Sequence, residues 1–174
     1  MIRLDWKRKD DVTMKAAILM GSDSDWPILK PAAELLKEFG IETEVAVASA
    51  HRTPAKVREF VLAAPEKEIG VFIVAAGAAA HLAVVVASYT TLPVIGVPIN
   101  ATSLNGMDAL LSTVQMPSGV PVATMAVNGA KNAAIFAAEI FAVSDASLQE
   151  KLKAYRDKMV QDVEKKAARV AAQL

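Results

Sequence analysis

The sequence contains no cysteine, which removes disulfides, iron–sulfur clusters, cysteine zinc sites and cysteine nucleophiles together. It contains only two histidines, His51 and His81, and they do not stand at metal-ligand spacing, so a histidine-rich metal centre is equally hard to build. Neither sign of charge is in excess: nineteen Lys plus Arg balance nineteen Asp plus Glu, which leaves no global case for nucleic acid or an acidic membrane surface as partner. Eight glycines and eight prolines exclude collagen-like and low-complexity chains, and 53% hydrophobic with 22% charged residues excludes a disordered one. The 174 residues suffice for one domain with a substantial core. A soluble protein of a reducing, cytoplasmic compartment fits this composition.

Residues 1–13 mix Arg3, Lys7, Arg8 and Lys9 with Asp5, Asp10 and Asp11; no apolar run follows as a signal peptide requires, and the segment reads as an extension ahead of the fold. Residues 14–143 alternate two periods. Short apolar runs at Ala16–Met20, Glu44–Ala48, Val71–Ala76, Pro93–Pro98 and Val120–Met125 read as strands of a buried parallel sheet. Between and after them, Ile28–Phe39, Pro54–Ala64, Ala79–Ser88, Asp108–Val114 and Asn128–Phe141 read as helices. Asp25 and Thr53 are candidate N-caps, each with a proline in the first turn, and Gly40 closes the first helix. Regular alternation of strand and helix implies a three-layer α/β/α sandwich with right-handed crossovers. Val71–Ser88 carries no formal charge and has the length of a membrane span, but Gly77 and His81 in its middle favour a strand, loop and helix of a soluble core. Residues 144–174 read as a charged helix whose stripe of Leu148, Leu152, Tyr155, Met159, Val163 and Val170 packs either on its own domain or on a neighbouring subunit.

Between Val71 and Ala130 the only formally charged residue is Asp108. Either this half is an inner layer shielded by the charged helices of the other, or the outer faces of its helices expose apolar patches large enough to drive association. Since helices of an α/β fold must have an outer face, a homo-oligomer is expected.

In open parallel sheets ligands bind beyond the carboxyl ends of the strands. Gly21–Asp25, Ser49–Pro54, Gly77–His81 and Pro98–Gly106 fall there and bring together hydroxyls, carboxylates, one arginine and both histidines. GSDSD lacks the glycine spacing of a dinucleotide fingerprint and the lysine of a phosphate-binding P-loop. It sets the hydroxyls of Ser22 and Ser24 at a helix start suited to an anion. Asp23 and Asp25 suit ribose hydroxyls better, while helix capping is an equal reading of Asp25. Arg52 is placed to grip a phosphate, or else to pair with a surface carboxylate. His51, beside it, is a candidate proton shuttle or a structural histidine. For His81, flanked by Ala80 and Leu82, a buried ring bonded to backbone is the favoured reading. A Ser–His–Asp hydrolase lacks its G-x-S-x-G elbow. Flavin binding is the rival, with Trp26 the one aromatic candidate to stack on the ring.

Taken in order, ILMGSDSDW (Ile18–Trp26), SAHRTP (Ser49–Pro54), AAAHL (Ala78–Leu82), PVIGVP (Pro93–Pro98), DALLSTVQMPSGVPVAT (Asp108–Thr124) and AKNAA (Ala130–Ala134) resemble the 5-(carboxyamino)imidazole ribonucleotide mutase family of purine biosynthesis, the AIR carboxylase catalytic subunit. AAAHL looks like the bacterial mutase class rather than the class that uses free carbon dioxide. The resemblance implies a flavodoxin-like fold, a homo-octamer with active sites between subunits, no metal, no organic cofactor, and a small ribonucleotide as substrate. It implies that His51 is the catalytic histidine and that Ser22, Asp25 and Arg52 bind the nucleotide. Ser49 and the backbone around Ala76–Ala79 would hold the migrating carboxylate; Ser24, Gly77, Ala78, Ala79, His81 and Leu82 complete the substrate-binding set.

The third loop departs from the family's usual A-G-A-G-G-A-A-H-L-P-G. Alanine or valine replaces glycine at Ala75, Ala78 and Val84, and Ala83 stands for the usual proline. Where such a position needs positive φ, strain of about 1 kcal/mol or more is expected.

Overall fold

The computed structural model describes residues 14–173; the expected extension at 1–13 lies outside the described residues. The elements are β1 (Lys15–Met20), α1 (Trp26–Phe39), β2 (Glu42–Val47), α2 (Pro54–Leu62), β3 (Val71–Gly77), α3 (Leu82–Tyr89), β4 (Val94–Ile99), α4 (Met107–Val114), β5 (Ala123–Thr124), α5 (Ala130–Ala142) and α6 (Ala146–Ala171). Every strand pairing is parallel and the sheet order is β2-β1-β3-β4-β5, the flavodoxin-like order with its switch point between β1 and β3.

The near-continuous apolar strands are explained by what covers them. Ala16, Ile18 and Met20 of β1 with Ile73 and Ala75 of β3 meet α1, α5 and the start of α6, while Ala17, Leu19, Phe72 and Val74 meet α2 and α3. Successive side chains point to opposite faces, so a strand buried on both must be apolar throughout. Gly40 ends α1 at φ 83, a left-handed turn that glycine makes without steric cost.

Three local readings need correction. Val120–Met125 supplies only the two-residue β5: Pro121 has no N–H for a ladder, and no described strand lies beyond it, so this edge is short. The third helix begins at Leu82 rather than Ala79, because Gly77–His81 is spent on tight turns. Thr53 precedes α2, but its hydroxyl makes no cap bond; it donates to the Ser49 carbonyl (3.1 Å) and accepts from the Ser49 amide (2.9 Å). The uncharged stretch Val71–Ser88 is β3, a loop and most of α3, and among the described residues no helix is long and apolar enough to cross a membrane.

The first half of α6 is fastened to its own domain. Asp145 caps it through the Leu148 amide, Leu148 and Leu152 are buried, and Tyr155 meets Phe39 edge-on at 5.7 Å. Lys151 donates to the Phe39 carbonyl at the end of α1, and Arg156 pairs with Glu139. Beyond Tyr155 the apolar residues Met159, Val163 and Val170 are exposed.

Candidate active site

At the carboxyl ends of β1, β2 and β3 lies a cleft of about 220 Å³ lined by Gly21, Ser22, Ser24, Asp25, Ser49, Ala50, His51, Arg52, Ala76, Gly77, Ala78, Ala79, Leu82 and Ala101. Every site residue expected from the sequence lines it except His81. Larger grooves of about 610 Å³ along α1 and about 670 Å³ at the β5 edge contain neither histidine nor arginine. Trp26 lines the first of these rather than the cleft, which removes the one aromatic offered for a flavin ring.

The loop after β1 is built on a capping box. Ser22 Oγ accepts from the Ser24 amide (3.3 Å), and Asp25 Oδ2 accepts from the Ser22 amide (3.2 Å). Ser22, not Asp25, is therefore the side-chain cap, and Asp25 makes no cap bond to α1. Asp25 is only 5% exposed. Burial, the largest influence, raises its pKa above the ordinary value; the Ser22 amide opposes the rise and the neighbouring Asp23 charge adds to it. Such a group gains from new hydroxyl donors.

The loop after β2 folds around Ser49. Its carbonyl accepts from the Thr53 amide (2.9 Å), and its Oγ accepts from the Arg52 amide (3.2 Å) and from Arg52 Nε (3.3 Å). Arg52 Nη2 donates to the Gly21 carbonyl (3.3 Å). Among the described residues its guanidinium meets no carboxylate, contrary to the surface ion-pair reading, and it lines the cleft with donors to spare. Ser49 Oγ is thus engaged in holding Arg52.

His81 is neither buried nor bonded to backbone through its ring. It is exposed, and its Nδ1 lies 3.0 Å from Nε2 of His51, with the rings nearly perpendicular at 83°. It touches the site through His51. The sequence offers no spacing signal for this pair, and its apolar neighbours Ala80 and Leu82 are the buried ones.

Of the four departures in the third loop, Ala75 is in β3 and Ala83 and Val84 are in α3, where any L-residue fits. Ala78 alone has positive φ, 54°, so the expected strain of about 1 kcal/mol falls on one residue, and it lines the cleft. Ala101 lies in the Pro98–Gly106 loop expected at the strand ends but, like Gly21 and Ala50, is not itself singled out by sequence reading as a site residue; its methyl sits against Gly77.

A model of the AIR carboxylase family matches residues 15–162. The chain is 52% identical over 156 residues to N5-carboxyaminoimidazole ribonucleotide mutase of Thermotoga maritima, covering 90% of this chain and 91% of that one. It is 55% identical over 146 residues to the protein of the same name from Methanocaldococcus jannaschii, covering 84% and 90%. Among solved structures, the crystal structure of Treponema denticola PurE superposes with a TM-score of 0.79 at 31% identity, covering 89% of this chain and 97% of that one.

Proposed function

The chain belongs to the AIR carboxylase family, and from that premise we propose that it is an N5-carboxyaminoimidazole ribonucleotide mutase of purine biosynthesis working in the cytoplasm. The reaction moves a carboxylate from the exocyclic nitrogen of an aminoimidazole ribonucleotide to C4 of the same ring. The observation that carries the site assignment is the convergence of His51, Arg52, Ser22 and Asp25 on one cleft at the switch point of the sheet.

Each step follows from carbamate chemistry. Protonation of the exocyclic nitrogen by His51 weakens its bond to the carboxylate; the bond breaks, the electron pair stays on nitrogen, and carbon dioxide is released into the cleft. The electron-rich C4 attacks the retained carbon dioxide, forming the new carbon–carbon bond. His51, now neutral, removes the C4 proton and the ring regains aromaticity. One group serves as acid and then base, and retention of carbon dioxide makes the second step effectively intramolecular. Arg52 neutralises the phosphate, Asp25 and the hydroxyls of Ser22 and Ser24 take the ribose side, and the backbone of Gly77–Ala79 with Leu82 walls the carboxylate.

His51 cycles between cation and neutral ring. With Nε2 committed to His81, Nδ1 is the nitrogen left for substrate. Loss of the Nδ1 proton gives a neutral ring only if Nε2 keeps its hydrogen. His81 Nδ1 is therefore the acceptor, and His81 selects the working tautomer.

The 220 Å³ cleft is smaller than the roughly 300–1,000 Å³ usual for ligand sites, which supports a site completed by a second copy. We assign the oligomer as an octamer, with the outer half of α6 and the apolar stripe of α4 as contact surfaces. Exposed Leu104, Met107, Leu111 and Val114 support that reading, as do Met159, Val163 and Val170. Within it, 14–143 is the catalytic domain and 144–174 the helix that reaches a neighbour.

The test is turnover of carboxyaminoimidazole ribonucleotide in bicarbonate-free buffer. Formation of C4-carboxylated product above the non-enzymatic rate is expected. Product only from aminoimidazole ribonucleotide with added bicarbonate would make the protein a carboxylase instead.

A further inference from the structure

Gly77 is still paired with Ile99 of β4, and it lies so close to Ala101 that an added Cβ would come within 2.5 Å of that residue's methyl. By Ala80 the chain is buried again, and at Leu82, also buried, it must start α3. The reversal between these fixed points is made by Ala78 at φ 54. Two tight turns follow, from the Ala80 amide to the Ala78 carbonyl and from the His81 amide to the Ala79 carbonyl, each 2.8 Å. His81 leaves the second turn with Nδ1 against His51.

We propose that Ala78 is a positioning residue: its left-handed backbone aims the Gly77–His81 loop so that His81 reaches His51 and fixes the tautomer of the acid–base group. The left-handed region open to alanine is a small basin, whereas glycine ranges through that region and beyond it. An alanine forced into the basin therefore defines the loop's direction more narrowly than glycine would, and the fold sustains the strain because Gly77 and Ala80 are both held. Strain kept beside a reacting group, with the flanking structure over-determined, is the pattern expected of pre-organisation. The sheet side of the loop is closely packed, since any side chain at Gly77 would meet the Ala101 methyl and the Ile99 carbonyl.

This role deepens the mutase reading and rests on it for its kinetic consequence, but the loop geometry is testable without turnover. Ala78→Gly and Ala78→Val are made in the full-length protein. Thermal unfolding, steady-state kinetics and nitrogen-15 spectra of the histidine side chains are then compared. Ala78→Gly is expected to raise the melting temperature yet lower kcat by about tenfold, with KM held within about twofold. The His51 ring-nitrogen shifts are expected to move toward tautomer averaging. Ala78→Val, whose branched side chain disfavours the left-handed backbone, is expected to keep the circular-dichroism spectrum and lose both the histidine signature and more of kcat. Unchanged histidine shifts in either variant would overturn the proposal, as would wild-type kcat in Ala78→Gly. If the wild-type protein shows no mutase turnover, the functional reading fails, and the histidine spectra still decide the role of Ala78.

Discussion

Nε2 of His51 and Nδ1 of His81 lie 3.0 Å apart, across thirty residues of chain and between two different loops of the sheet. Two facing imidazole nitrogens hold one hydrogen between them, since two N–H groups pointed at each other repel and two lone pairs do not bond. The pair therefore occupies Nε2 of His51, which in the proposed mechanism leaves Nδ1 to face substrate. Replacing His81 by Leu removes the acceptor and is expected to lower kcat by about tenfold, the worth of one hydrogen bond to a charged group, with nucleotide affinity nearly unchanged. His81→Asn, whose amide oxygen accepts, should recover part of the loss. Stopped-assay kinetics alongside calorimetric binding separate the two effects, and equal kcat in all three proteins would exclude a tautomer-setting role.

His51→Asn is the sharper case. It deletes the group proposed to carry the proton in both half-steps while leaving a polar side chain of similar reach. Loss of about 10²–10⁴-fold in turnover is expected, the usual range for a general acid–base. Binding of a product analogue should persist, because Arg52, Ser22 and Asp25, the proposed nucleotide-binding residues, are left in place. Retained turnover would remove His51 from the chemistry.

The centre of the sheet was legible because β1, β3 and β4 are short apolar runs bounded by glycine or proline and buried on two faces. Ala16–Met20 and Val71–Ala76 could scarcely be anything else once helices lay between them. Val120–Met125 looked equally apolar, yet strand length depends on a neighbour to pair with and on Pro121, which cannot donate. The membership of the cleft was legible for the same topological reason, since residues after strand ends must gather there. What linear pattern could not show was direction. Ser22 capping its turn while Asp25 answers back depends on a single turn's torsion, and the meeting of His81 with His51 depends on one left-handed alanine. His81 has apolar neighbours, which suggested burial; instead Ala80 and Leu82 turn inward and push the ring out.

In the proposed site, Asp25 ties stability to ribose binding. Burial raises its pKa in the folded protein, so the folded form is charged only at some free-energy cost. That cost is absent below the unfolded value, near 3.9, grows as pH rises toward the folded value, and is constant above it. Asp25→Asn keeps an oxygen to accept from the Ser22 amide and removes the charge. The variant is expected to melt above wild type at about pH 7.5, with the advantage vanishing below about pH 4. Its KM should rise, because a neutral amide binds ribose hydroxyls more weakly than a carboxylate. Scanning calorimetry at both pH values checks the sign; a variant less stable at neutral pH would show that the carboxylate is net stabilising.

Met107, Leu111 and Val114 lie four and three residues apart on one face of α4, and they are 55%, 49% and 48% exposed. A helix whose other side holds buried Ala109 and Thr113 against the sheet has no reason of its own to present such a stripe to water. The loop that leads into it carries Ala101, part of the cleft wall, so whatever covers α4 also stands beside the candidate site. A second copy burying what remains exposed of Met107 and Leu111 gains about 1 kcal/mol for each side chain, and a carboxylate there would have to be desolvated without a partner. Met107→Glu combined with Leu111→Glu is therefore expected to shift sedimentation velocity to smaller species and to reduce turnover together with it. The circular-dichroism spectrum should stay that of the folded domain, since neither side chain supports the core. Unaltered sedimentation would place the subunit contacts elsewhere, and dissociation with full activity would show that a single chain completes its own site.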